Sequence, residues 1–127
     1  MDIDFLRVDE VLAIHQDQIE RYGGAEGLRD PGLLISAVET ARAMFEGAYL
    51  HRDLFEMAAA YLYHIARNHP FLDGNKRTAA ASALVFLDFN GVEVNMPDED
   101  LVDLVLAVAG GTADKATVAG SLRTYAT

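Results

Sequence analysis

Between His69 and Arg77 the chain places a histidine, a carboxylate and two cations in one short run, His69-Pro70-Phe71-Leu72-Asp73-Gly74-Asn75-Lys76-Arg77. Of the ten Lys and Arg residues in a chain of formal net charge −10, three (Arg67, Lys76 and Arg77) fall close together here. A local positive field therefore stands against an acidic background, and such a field attracts an anion. Gly74 and Asn75 can turn the chain tightly. A helix opening near Asn75 or Lys76 would direct its first unpaired N–H groups, and the positive end of its dipole, at whatever lies beside Asp73. That arrangement holds phosphate.

The elements that must position this run are helices. Behind it Ser82 is the only polar residue between Ala79 and Leu87. The spacing predicts a fourth helix from about Asn75 to Phe89, stopped by Asn90-Gly91 and central to the core. Ahead of it Leu54 to Asn68 is apolar on more than one side, as in a helix buried between neighbours, and delivers His69 to the loop. Earlier still, Val8, Val11, Leu12, His15, Ile19 and Tyr22 recur at helical spacing before Gly23-Gly24. His15 lies on the apolar face of that helix and is read as a histidine bonded to a neighbour. Asp30-Pro31 marks an N-cap with proline at the first position. The stripe Leu34, Ala37, Val38, Ala41, Phe45, Ala48 carries that second helix towards Gly47. The stretch from there to Asp53, with Tyr49 and His51, is an irregular turn. Val92-Glu93-Val94 is a connector, Pro97-Asp98 opens a fifth helix that Gly110-Gly111 ends, and Thr117 to Tyr125 forms a sixth. The expected architecture is all-α: one domain over 1–127, a bundle of about six helices.

Composition sets the outer bounds. A chain of 127 residues with 51% hydrophobic residues can bury a core without disulfides or metal staples. The absence of cysteine excludes thiol catalysis and cysteine-ligated zinc and fits a reducing, cytoplasmic setting. His64 and His69, five apart, lack the four-residue spacing of a paired zinc site. The first residues, Met-Asp-Ile-Asp-Phe-Leu-Arg, do not read as a signal peptide, and no apolar run reaches the roughly 20 residues that span a bilayer. The acidic excess argues against direct nucleic-acid binding.

At His69 to Arg77 the chain resembles the Fic/death-on-curing (Doc) family, whose signature is written H-x-F-x-[D/E]-G-N-G-R-x-x-R. His69, Phe71, Asp73, Gly74, Asn75 and Arg77 stand at the family's positions, while Lys76 replaces the third small residue and Ala80 the last arginine. The ending N-K-R-T resembles the death-on-curing branch, the toxin half of bacterial toxin–antitoxin pairs. Tyr22-Gly23-Gly24, Asp30-Pro31-Gly32 and Phe89-Asn90-Gly91 sit where that branch has similar runs. Most Fic proteins transfer AMP from ATP to a protein hydroxyl. The branch resembled here is known for phosphorylating a threonine of elongation factor Tu, which blocks translation.

The resemblance implies that His69 is the base for an attacking hydroxyl and that Asp73 holds a Mg²⁺ bound to ATP phosphates. Unaided chemistry agrees: an imidazole with an ordinary pKa of about 6.5 can accept a proton at cytosolic pH, and Mg²⁺ commonly takes one or two carboxylates beside substrate phosphates. Lys76, Arg77 and the N–H groups of Gly74 and Asn75 would neutralise phosphate charge. Arg67 is a further candidate, although an arginine at a helix end is equally explained by the carboxyl-terminal carbonyls. Taken singly, Asp73 reads as an N-cap, Lys76 and Arg77 as a solvated turn and His69 as a loop histidine; their joint order favours an active site. The expectation is a kinase toxin using ATP and Mg²⁺, with AMP transfer or a catalytically inactive interaction domain as the alternatives. The sequence has no [S/T]-x-x-x-E-[G/N] run, the inhibitory motif many Fic proteins carry. A cognate antitoxin with a helix-forming segment is therefore the expected restraint.

Overall fold

The computed structural model describes residues 2–127. Six helices follow in order: α1 Val8–Tyr22, α2 Pro31–Ala41, α3 Leu54–Asn68, α4 Asn75–Phe89, α5 Asp98–Ala109 and α6 Lys115–Thr124. Their starts are written in the sequence as caps. The carboxylates of Asp30, Asp53 and Asp114 accept from the N–H groups of Leu33, Glu56 and Thr117 respectively, at 2.8–3.1 Å. Each thereby satisfies a donor that the first helical turn leaves free.

α3 is the axis of the bundle, touching α2, α4, α5 and α6. Its residues Ala58 to Leu62 are all fully buried, which explains why its apolar positions fail to form one stripe. α4 packs along it and contributes Ala79, Ala83, Phe86 and Leu87 to the core. Leu84, on the same helix, is only partly buried. The N-terminal segment is drawn in by polar anchors as well as by Leu6. Buried Tyr61 Oη accepts from the Leu6 N–H at 3.0 Å, and the Asn90 side chain bonds both the N–H and the carbonyl of Asp4.

The second helix is shorter than its apolar stripe suggests. It ends at Ala41, and Phe45 and Ala48 belong instead to an exposed two-stranded hairpin, β1 Met44–Phe45 with β2 Ala48–Tyr49. The physical reason is the Glu46-Gly47 pair, which adopts φ of 51° and 80°. Two successive left-handed residues make the tight turn that suits a hairpin. The Val92–Val94 connector does pair once, as an isolated bridge between Val94 and Ala126. Among the described residues no helix is long and apolar enough to cross a membrane.

Candidate active site

The loop from His69 to Gly74 joins the two central helices, so its backbone is held by the best-packed part of the molecule. His69 is the C-cap of α3 in the left-handed conformation, φ 50° and ψ 59°, with its N–H bonded to the Ile65 carbonyl. Gly74 is the N-cap of α4, also left-handed, and no side chain caps that helix. Thr78 N–H is the first to bond back, to the Gly74 carbonyl at 3.0 Å. The N–H groups of Asn75, Lys76 and Arg77 therefore precede the helical ladder and are free for an anion.

Three side chains and one neighbouring segment shape the loop. Phe71 is buried and stacks flat on the His15 ring, with centroids 3.8 Å apart. His15 Nε2 lies 2.8 Å from the Asp73 carbonyl and donates to it. His15 is thus the buried, neighbour-bonded histidine expected, and its neighbour is the site itself. Asn75 folds its amide back onto Phe71, donating to the Phe71 carbonyl and accepting from the Phe71 N–H. Alongside runs the segment after α1. Leu72 N–H donates to Gly27 O, while the N–H groups of Arg29 and Asp30 both donate to Pro70 O.

A cleft of about 380 Å³ opens over this loop, lined by His69, Leu72, Asp73, Gly74, Asn75, Lys76 and Arg77. Asp73 is exposed there. Its carboxylate accepts from the N–H groups of Ala25 (3.2 Å) and Gly74 (2.9 Å), and these two bonds hold its pKa below the ordinary carboxylate value. The charge on Asp73 is therefore secure at neutral pH. Arg77 is exposed and its guanidinium lies 5.0 Å above the Tyr22 ring. His69 is exposed.

Six of the seven sequence candidates meet at this cleft, and one of them, Gly74, differs in detail from expectation. The Gly74 N–H is engaged by Asp73, and the Asn75 side chain by Phe71, so only the Asn75 backbone faces an incoming anion. Arg67 is not brought to the cleft. Its guanidinium reaches the carboxyl end of α5 instead, 3.4 Å from the Val108 carbonyl and against Gly111. An exposed helix-end arginine finds carbonyls more readily than a ligand across the loop.

Sequence reasoning missed Arg29 and Gly24. Arg29 donates from Nε to the His69 carbonyl at 2.6 Å and from Nη2 to the Asn68 carbonyl at 2.7 Å. Gly24 has φ of +121°, and a Cβ placed there would meet Asp73 Oδ2 at 2.7 Å. The Tyr22-Gly23-Gly24 run was the only local signal for Gly24, and nothing local marked Arg29.

A second depression, about 520 Å³, lies between α1, α4 and α5, with Tyr22, Ala80, Leu84, Val102 and Leu106 among its walls. Lys76 and Arg77 line it too. Tyr22, Val102 and Leu106 are exposed at 60%, 55% and 50%, so this groove presents apolar side chains to solvent.

These features agree with comparisons to known proteins. Over 118 residues the chain is 44% identical to a protein of Escherichia phage P1 named Protein kinase doc, covering 91% of this chain and 90% of that one. Over 107 residues it is 39% identical to Toxin Doc of Mycolicibacterium smegmatis, covering 83% and 82%. A family model described as Fic/DOC family matches residues 5–87, from the N-terminal segment into the last turn of α4 and so through every element that shapes the cleft. The chain belongs to the Fic/DOC family.

Proposed function

We propose that this protein is a toxin that transfers the γ-phosphate of ATP to a Ser or Thr hydroxyl of a protein substrate. The observation that carries the reading is one cleft bounded by an exposed histidine, an ionised aspartate and the uncapped, cation-flanked start of α4. His69 takes the proton as the hydroxyl oxygen bonds to the γ-phosphorus, and the bond to the β–γ bridging oxygen breaks to release ADP. Lys76, Arg77 and the N–H groups of Asn75 to Arg77 neutralise the transferring and leaving phosphates. Asp73 fits Mg²⁺. Each of its oxygens spends only one lone pair on the loop, and one carboxylate with phosphate oxygens is a common environment for that ion. When bound there, the ion would offset phosphate charge. The relatives' names, a protein kinase and a toxin, support both halves of the reading. The whole chain, 1–127, acts as one domain, since α5 supplies a wall of the groove and α6 covers α3.

Lys76 and Ala80 set which phosphate moves. Lys76 lines the cleft where the AMP-transferring pattern has a small residue, and it adds a point charge over the loop. Ala80 can make no hydrogen bond to phosphate. Both features support a nucleotide held with its γ-phosphate beside His69. Labelling of target proteins with ATP radioactive at the α or the γ position tests this, with His69→Ala as the blank. Label from the γ position alone is expected; label from the α position would make the protein an AMP transferase.

The exposed apolar groove suits the amphipathic helix of a cognate antitoxin, because a helix needs an apolar trough with charged rims. Lys76 and Arg77 supply a basic rim and Asp98 an acidic one. The protein substrate is a component of the translation apparatus, with elongation factor Tu the first candidate to incubate with the labelled ATP.

A further inference from the structure

His69 carries the proposed chemistry from an awkward backbone position. A left-handed conformation is disfavoured for a residue with a side chain, and His69 closes a helix whose last carbonyls have no partners of their own. Its φ and ψ describe how two peptide planes rotate about its Cα. One plane carries the Asn68 carbonyl and the other the His69 carbonyl. Arg29 is bonded to both, by two nitrogens of the same guanidinium, at 2.7 and 2.6 Å. The guanidinium is planar and rigid, so a fork that grips both planes fixes both dihedrals, and with them the direction of the His69 Cα–Cβ bond. Its charge also faces the negative end of the α3 dipole. The backbone N–H groups of Arg29 and Asp30 hold the next carbonyl, Pro70 O, at 2.7 and 2.9 Å. Three consecutive carbonyls are thus bound by one short stretch.

We propose that Arg29 is a positioning residue for His69, aiming the imidazole into the cleft by clamping the two peptide planes on either side of it. The proposal rests on the reading of His69 as the base. It requires the fork and not merely a positive charge, because a lysine ammonium carries no rigid pair of coplanar donors to span the two carbonyls.

The test compares Arg29→Ala and Arg29→Lys with the wild type in two ways. In γ-phosphate transfer, kcat should fall on the order of 100-fold in Arg29→Ala, the scale of loss expected when a reacting group is misplaced by about 1 Å. The KM for ATP should hold, since the phosphate-facing N–H groups of α4 are separate from Arg29. Arg29→Lys should recover little, whereas guanidinium ion at low concentration should restore part of kcat to Arg29→Ala. An unchanged kcat, a loss confined to KM, or a fully active Arg29→Lys overturns the proposal. In protein labelled at the histidine ring carbons, the His69 signal, assigned from His69→Ala, should shift and broaden in Arg29→Ala while that of His15 stays in place. A His69 signal identical to wild type overturns it independently of any turnover. If the wild type transfers no phosphate, the kinase reading fails while this spectrum still judges the clamp.

Discussion

His69→Ala should abolish transfer and toxicity and leave the melting temperature close to wild type, because the side chain is exposed and contributes to no packing. Gly24→Ala should act nearly as strongly from outside the motif. The added methyl would fall 2.7 Å from Asp73 Oδ2 in a backbone region that L side chains avoid. The carboxylate must then move, and the Mg²⁺ concentration giving half-maximal activity should rise. Unchanged Mg²⁺ dependence would mean that Asp73 does not hold the ion. At this scale the sequence shows what is contiguous. His69, Asp73, Lys76 and Arg77 are visible as a set since one short loop and one helical turn carry them all. Gly24 and Arg29 are not, because they reach the loop across 40 or more residues of chain. Arg67, offered beside a helix-end reading of equal weight, turns to the Val108 carbonyl at the end of α5, a contact 41 residues away that its neighbours in sequence do not announce.

Helices were easier to read than their ends. The Asp30-Pro31 cap and the Asn90-Gly91 and Gly110-Gly111 stops are local and were read correctly, while the end of α2 depends on a hairpin whose two residues of positive φ outweigh a continuing apolar stripe. Leu84 is only partly buried, since α4 turns that residue towards the groove and commits Phe86 and Leu87 to the core. Leu87→Ala, at a fully buried position, should therefore destabilise the fold by about 2–5 kcal/mol through lost transfer energy and a cavity. Leu84→Ala should cost less and weaken antitoxin binding. Denaturant midpoints of the two variants, taken side by side, check the ordering.

For the molecule as a whole, acid should loosen the packing of α6 on α3. Lys115 Nζ, on α6, lies 3.2 Å from His64 Nε2 of α3 and 3.5 Å from His51 Nε2, with Glu56 and Arg123 lining the same depression. Burial, then the Lys115 charge, then His51 depress the His64 pKa to about 4, and burial followed by Lys115 also lowers that of His51. An unfolded chain takes up these protons at the ordinary value near 6.5. The stabilising effect of neutral imidazoles is therefore complete above about 6.5 and is lost as pH falls towards about 4. Denaturation midpoints at neutral pH and near pH 5 should show this loss, and Lys115→Met should lessen it. None of this was legible in the sequence, where His51, His64 and Lys115 belong to three separate segments.

Lys76 and Arg77 line both the cleft over the His69–Gly74 loop and the apolar groove. Whatever occupies one side alters the partners left for the other, and thermodynamic reciprocity then applies. If a seated antitoxin helix weakens ATP binding by some factor, ATP weakens the antitoxin's hold by the same factor. The neutralised complex would then report on the cell's energy supply, tightening as ATP runs down. Titration of the antitoxin segment at several fixed ATP concentrations measures that factor directly, and equal affinities throughout would show that the two residues are shared in space but not in energy.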